Sequence, residues 1–431
     1  MTQPSTITSR FLSHPNQLGV VAVGFNGGQC KKGVEAAPMA LIESGLLTQL
    51  SEDLDYEVHH DNIVHYYEKD IPAEDPDHRG MKKPRAVSAV TKKLSSQVYD
   101  YAKDGKFILT LGGDHSIAIG TVSGTAKAIR ERLGREMAVI WVDAHADINL
   151  PETSDSGNIH GMPMAFLTKL ATEEKKDIFG WMRDEHFVST QKIVYIGLRD
   201  VDRGEKKILR ENGIKAFSMH DIDRHGIGRV VEMALAHIGN DTPIHLSFDV
   251  DALDPQWAPS TGTPVRGGLT LREGDFICEA VHETGNLIAM DLVEVNPSLE
   301  TKGASETIRA GCSLYIQIGE VEVVTPPEEH RLSDTLAFFV IGHAIAAARN
   351  RYTKWPADFN LDGDVYPVGL PRPEEGFPKS LDKPLVDVRD PHDWDAPVSL
   401  LEVGKNGRDP VVAFQVFFPG VEPICFVDLR V

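Results

Sequence analysis

An α/β architecture, a single parallel β-sheet flanked by helices, is what this sequence predicts, and three observations carry the prediction. Short apolar runs rich in β-branched residues recur along residues 19–294. Between them lie stretches in which apolar residues return every three or four positions, and ionisable residues gather where the apolar runs end. Strand and helix patterns in alternation describe βαβ units, whose parallel strands are buried on both faces.

In chain order the runs are GVVAVGF from Gly19, FILTLGG from Phe107, AVIWVD from Ala138, IVYIGLRD from Ile193, IHLSFDVD from Ile244 and LIAMDLVE from Leu287. Each is short for a helix and too uniformly apolar for a strand with one wet face. The helical stretches AVSAVTKKLSSQVYDYAKDG and TVSGTAKAIRERLG each end on a glycine, which accepts the left-handed conformation of a helix C-terminus. Open parallel sheets bind ligands beyond the carboxyl ends of their strands. His115, Asp143, Asp202, Asp249 and Glu294 all come at or just after the end of a run, so they should converge.

The pattern changes towards the carboxyl end, where residues 351–431 hold 11 of the 26 prolines in 81 residues, against 15 in the first 350. That stretch reads as a Pro-rich C-terminal extension of unknown role, ending in the strand-like runs VVAFQVFF and PICFVDLRV. Residues 301–331 read as an insertion, with SLYIQIGEVEVV alternating like an exposed strand ahead of a helix that Ser333 would cap. The expected organisation is a leader over residues 1–18, a main domain over 19–350 and the extension over 351–431.

At 431 residues, with 41% hydrophobic and 25% charged residues, the chain can bury a large core. Its formal charge of −20 is the reverse of what phosphate contacts need, so nucleic acid is not an expected partner. A cationic small molecule suits the charge better. No apolar run reaches the roughly 18 residues of a membrane span, LAFFVIGHAIAAA at 336–348 being the nearest. The four cysteines are far apart with no CxxC pair, which fits reduced thiols and a cytoplasmic location. The first 18 residues carry one arginine and no acid but lack an amphipathic helix, which makes mitochondrial import the lesser alternative.

WVDAHADIN sets Asp143, His145 and Asp147 at alternating positions, and in an extended chain such positions point the same way. SFDVDALDP repeats the device with Asp249 and Asp251, and LGGDHSIAIG offers His115 on a turn into a helix. A lone triplet of this kind is most often a capped turn. Three at strand ends are different, because gathered carboxylates repel one another unless cations neutralise them. Oxygen-rich ligation with two imidazoles suits manganese better than zinc. Six side chains are enough for two ions that share bridging carboxylates, an arrangement suited to hydrolysis. By contrast DFNLDGDV, from Asp358, starts like a calcium loop but has Gly369 where a bidentate glutamate belongs.

Over roughly residues 19–297 the chain resembles the ureohydrolases, and within them the arginases, through GGDHSIAIG, WVDAHADIN, SGNIHGMP, YIGLRDVDRGE, SFDVDALDP, TGTPVRGGLT and DLVEVNP in the family's order. The resemblance implies a three-layer αβα fold and two manganese ions per subunit. It implies His115, Asp143, Asp147 and Asp249 around one ion and Asp143, His145, Asp249 and Asp251 around the other. It further implies that Asn149, Ser156 and Asn158 contact an α-carboxylate, that Asp202 meets an α-ammonium, and that Glu205 and Thr263 line the substrate site. Glu294 would pair with the guanidinium, a planar match for a carboxylate.

The implied reaction is hydrolysis of L-arginine to L-ornithine and urea by a hydroxide bridging the two ions, with Asp147 as proton carrier, Glu294 as the guanidinium anchor and His160 as proton shuttle. Agmatine lacks the α-carboxylate, so an agmatinase or another guanidino-compound ureohydrolase is the alternative. A non-catalytic metal-binding scaffold is the reading from a different class, and the intact ligand set argues against it. Arg272 and Glu273 in LREGDF resemble the family's interface pair, which implies a homotrimer.

Overall fold

Why the central strands form is visible in β5 (Ala138–Val142): all five residues are buried, and successive side chains enter opposite cores. Val139 and Trp141 join one apolar cluster, while Ala138, Ile140 and Val142 join the other. Only a strand covered on both faces can have this composition. A computed structural model of the chain describes residues 8–299, 304–316, 386–388, 398–406, 409–416 and 426–430. The chain divides into two compact units, Met1–Val323 and Val324–Val431.

In the first unit the other strands are β1 (His14–Val23), β2 (Glu57–His59), β3 (Val64–His65), β4 (Lys106–Leu111), β6 (Ile193–Leu198), β7 (Lys215–Ser218), β8 (Ile244–Asp249) and β9 (Leu287–Val293). They form a nine-stranded sheet in the order β2-β1-β4-β9-β8-β5-β6-β7, with β3 also beside β1. Every pairing in it is parallel. The four neighbours β4, β9, β8 and β5 therefore end on the same side, and the chain's acidic motifs lie at those ends.

One face is covered by α3 (Pro84–Asp104) and α4 (Ala118–Leu133), which send Val87, Val90, Leu94 and Val98, and Ile119, Val122 and Ile129, into the first cluster. These two helices lie unusually close. An added Cβ at Gly120 would meet the Thr91 carbonyl oxygen at 2.7 Å, and one at Gly124 would strike the Ser95 carbonyl. The same side of the sheet carries α5 (Pro163–Leu167).

The other face is covered by α1 (Ala37–Glu43), α2 (Leu46–Glu52), α7 (Met219–His225), α8 (Ile227–Ile238), α9 (Leu271–Glu283) and α10 (Ala304–Ile316). The short α6 (Arg203–Glu211) opens on a capping box, Asp202 with Glu205, and α9 on another, Thr270 with Glu273. The outcome is the expected parallel sheet between two helical layers.

Two differences from the sequence reading have physical causes. The strand β1 starts at His14, inside the stretch assigned to a leader, and Phe11 is already in the core. Ser313–Ile316, expected to start an exposed strand, instead ends helix α10, which buries Thr307, Ala310, Gly311 and Leu314 at helical spacing. Tyr315 there donates its hydroxyl to the Thr110 carbonyl at 2.6 Å, tying α10 to the sheet. The remainder of SLYIQIGEVEVV, Ser333, the 336–348 run and the DFNLDGDV stretch lie outside the described residues. Among those described, no helix is long and apolar enough to cross a membrane.

The second unit holds a four-stranded antiparallel sheet of β10 (Val386–Val388), β11 (Val398–Asn406), β12 (Asp409–Val416) and β13 (Phe426–Arg430), in that order. The last two strands coincide with the strand-like runs in the sequence.

Candidate active site

Four adjacent strands end in four different turns, and each turn delivers donors to one place. After β4 a glycine pair lets the chain pass close to the Phe25 backbone, where an added Cβ at Gly113 would collide. Asp114 then caps a short 3-10 turn by accepting the Ser116 N–H at 3.0 Å, which sets His115 pointing inward and fully buried. After β5 the strand does not continue as the alternating pattern suggested. Asp143 accepts the His145 N–H at 2.7 Å, and Asp147 adopts a left-handed φ of 48°. The three side chains thus converge by a turn rather than by strand alternation. At the end of β8, Asp249 caps its own turn by accepting the Asp251 N–H at 2.8 Å. After β9, Glu294 is also left-handed, with φ 62°. Backbone conformations of this kind in non-glycine residues are costly and concentrate at functional sites.

Two groups of side chains could hold metal ions: His115, Asp143, Asp147 and Asp249, and Asp143, His145 and Asp251, with the donor atoms of each group within 4.8 Å of one another. His115 Nδ1 lies 3.2 Å from Asp143 Oδ2, 3.2 Å from Asp147 Oδ2 and 3.1 Å from Asp249 Oδ2. Its Nε2 meets the Ser247 hydroxyl at 3.0 Å, and its ring stacks on Trp141 at 3.9 Å, which together fix the orientation. His145 Nδ1 lies 3.4 Å from Asp143 Oδ1 and 3.2 Å from Asp251 Oδ2. Asp143 therefore serves both groups. Asp249, implied for both ions, falls only in the first group, because its Oδ1 faces the Asp251 backbone.

The electrostatics follow from burying four aspartates together. Burial raises the pKa of Asp147 to about 6, with Asp143 adding to the effect. Burial and the neighbouring Asp251 and Asp143 hold Asp249 well above the usual carboxylate range. Asp143 goes the other way: burial opposes its charge, but hydrogen bonds from His115 and His145 lower its pKa. Both imidazoles are raised by the aspartates despite burial. Among the described residues these four carboxylates have ion pairs with His115 and His145 but none with lysine or arginine. Hard oxygen donors, one imidazole in each group and, among the described residues, no lysine or arginine paired with them make a donor set that fits divalent metal ions.

Beside the cluster, Glu294 is 1% exposed; Oε1 accepts the His115 N–H at 2.9 Å and faces His160 Nδ1 at 3.3 Å, while Oε2 accepts from Gln29 Nε2 at 2.6 Å. Burial works against charge on His160, but Glu294 raises its pKa to about 9. Thr263 donates to Asp251 Oδ2 at 2.9 Å, so it braces a donor.

Of the expected substrate residues, Asn149, Ser156 and Asn158 occupy the loop after the first aspartate motif, and Asp202 and Glu205 open α6. Asn149 Nδ2 donates to Asp202 Oδ2 at 2.6 Å, and Asn149 Oδ1 accepts from Thr153 at 2.7 Å. Ser156 is exposed and its hydroxyl accepts the Asn158 N–H at 3.2 Å. The Glu205 oxygens accept the Ile148 and Asp202 N–H groups at 3.3 and 3.1 Å, so it positions the loops that carry Asn149 and Asp202. Burial and Asp147 raise its pKa to about 8.

Sequence reasoning missed Gln29 and Asp114. Asp114 is buried, accepts the Gly28 N–H at 2.7 Å, and has its pKa raised to about 6 by burial and by Glu294. A signal was present: GFNGGQ follows β1 with the same glycine pair that precedes Asp114 after β4.

A family model described as the arginase family matches residues 16–319. An arginase of Emericella nidulans is 85% identical over 314 residues, which are 73% of this chain and 97% of that protein. Among solved structures, the cold-adapted arginase of the psychrophilic yeast Glaciozyma antarctica is 44% identical with a TM-score of 0.58, covering 73% of this chain and 98% of that one. The arginase of Entamoeba histolytica, solved in complex with L-ornithine, is 29% identical with a TM-score of 0.62, covering 72% and 99%. Family model, sequence relatives and fold agree with the buried donor cluster: the chain belongs to the arginase family and is a metal-dependent amidinohydrolase.

Proposed function

We propose that this enzyme hydrolyses L-arginine to L-ornithine and urea with two manganese ions. His115, Asp143, Asp147 and Asp249 would hold one, and Asp143, His145 and Asp251 the other, with Asp249 as a second shared ligand. The observation that carries the reading is the pair of buried donor groups joined by Asp143 beside the Glu294 carboxylate. Its oxygen-rich, thiolate-free composition favours manganese. Bound there, the ions would supply Lewis acidity and bring the pKa of a water towards neutrality.

The chain's own residues do the rest. Glu294, held by the His115 N–H and the Gln29 amide, presents a planar carboxylate to the guanidinium. Asp147, within the first donor group, takes at its carboxylate the proton that the attacking oxygen gives up and delivers it to the leaving amino nitrogen. His160, about one-fifth exposed, exchanges protons at its imidazole with solvent. At the amino-acid end, Asn149, Ser156 and Asn158 receive the α-carboxylate and Asp202 the α-ammonium. The L-ornithine complex of the Entamoeba histolytica relative supports an amino-acid ligand. We include in the reading a homotrimer, with Arg272 on an exposed face beside Trp257 and Phe276, and a cytoplasmic location, which the free thiols of Cys30, Cys278 and Cys312 support.

The deciding experiment is urea release from L-arginine and from agmatine, with and without added Mn²⁺. Manganese-dependent turnover that prefers L-arginine is expected. A preference for agmatine would overturn the substrate assignment, and no urea from either would overturn the reaction. Light scattering of the full chain and of a form ending at residue 350 tests the trimer.

A further inference from the structure

Gln29 lies on the loop after β1, is 5% exposed and touches the centre of the site. Its Nε2 donates to Glu294 Oε2 at 2.6 Å. The loop is pinned on both sides of it. Gly28 donates to Asp114 at 2.7 Å and accepts the His160 N–H at 3.0 Å, while the carbonyl of Lys32 accepts from Asn296 Nδ2 at 3.0 Å. Gln29 therefore cannot drift away from Glu294 without undoing contacts to three other segments.

The other end of the amide is what suggests a role. Among the described residues no donor reaches Gln29 Oε1, and that oxygen is not fully enclosed. Gly262 opens a space beside it: a Cβ there would stand 3.2 Å from Gln29 Oε1 and 3.6 Å from Glu294 Oε2. An amide oxygen and a carboxylate thus border one gap that a side chain at residue 262 would enter.

We propose that Gln29 is a specificity-determining residue for the guanidinium group, its Oε1 accepting one guanidinium N–H while its Nε2 holds Glu294 in place for the bidentate pair. This deepens the reading of the site as one for a guanidino substrate and rests on it. A guanidinium carries five N–H donors in a flat fork, so Glu294 can take two and a coplanar neighbour a third. The primary ammonium of the product presents its donors at one point and cannot span both acceptors. Gln29 then binds substrate in preference to product, which favours product release.

The test compares wild type with Gln29→Met, which keeps the volume but removes both polar atoms, and with Gln29→Asn, which keeps the amide one methylene short. Steady-state kinetics give KM and kcat for L-arginine, calorimetry gives the Kd of L-ornithine, and elemental analysis gives manganese per chain. The expected result for Gln29→Met is a KM raised about tenfold or more, as for loss of a hydrogen bond to a charged group. L-ornithine affinity and manganese content should change less than about threefold on the same comparison. Should Gln29→Met fail to fold, Gln29→Asn carries the test with the same direction and a smaller rise. An unchanged KM, or equal losses for L-arginine and L-ornithine, would overturn the proposal. Wild type that releases no urea from L-arginine would instead overturn the reading it rests on, so the two failures are distinguishable.

Discussion

Asp143 turns one oxygen to each donor group, and Trp141 Nε1 donates to it at 2.8 Å, so its two oxygens are held in fixed directions. Asp143→Asn removes the shared charge while keeping the shape. We expect metal content after loading with Mn²⁺ and dialysis to fall below that of wild type by about half or more, and urea release to drop by about 100-fold or more, given the several kcal/mol that charge stabilisation contributes in such sites. Wild-type metal content in the variant would contradict the shared role. Away from the two donor groups, Asp291 is fully buried on β9, accepts from the Thr121 hydroxyl at 2.5 Å and meets His245 Nε2 at 2.8 Å. Asp291→Ala leaves the buried imidazole without its partner, so a loss of about 3–5 kcal/mol in urea-unfolding stability is expected.

Helices α3 and α4 depend on contact that only glycine permits. Replacing a helix-interior glycine with alanine is favourable by roughly 0.5–1 kcal/mol on backbone entropy alone. At Gly124 the added methyl would strike the Ser95 backbone, and backbone cannot move aside cheaply. Overpacking of this kind costs about 1–3 kcal/mol. Gly124→Ala should therefore lower the melting temperature, and a rise would show that the helix pair is free to separate. The central strands were legible because burial on both faces leaves uniform apolar runs, as in β5 and β8. The strands β2, β3 and β7 escaped because they are two to four residues long and largely half-buried, so no run builds up. Helix α10 was misread since a few alternating residues satisfy strand and helix spacing alike. In the site, residue types and strand ends were readable, whereas the left-handed turns at Asp147 and Glu294 and the loop that brings in Gln29 depend on tertiary packing.

At the scale of the whole molecule, stability should respond to metal and to acid. Ligands that bind only the folded state stabilise it by mass action, about 2.7 kcal/mol at a hundredfold excess over Kd. Chelation should thus lower the melting temperature, and added Mn²⁺ should restore it. His282 on α9 sets an acid limit: burial lowers its pKa from 6.5 to about 4. Between those values the unfolded chain binds a proton that the folded chain refuses, so stability is full above about pH 6.5 and falls as the pH drops towards 4. The loss is on the order of 3 kcal/mol. His282→Leu should flatten that decline in pH-dependent calorimetry.

The order of the sheet also constrains how the site comes into being. His115 is separated from Asp249 by 134 residues and from Glu294 by 179, yet their strands stand side by side. Contacts of such separation form late, after the entropy of closing long loops has been overcome. No local fragment, and no nascent chain that stops short of β9, can assemble the complete site. Full catalytic competence therefore marks the end of folding rather than its start, and ions captured earlier can meet only part of the machinery.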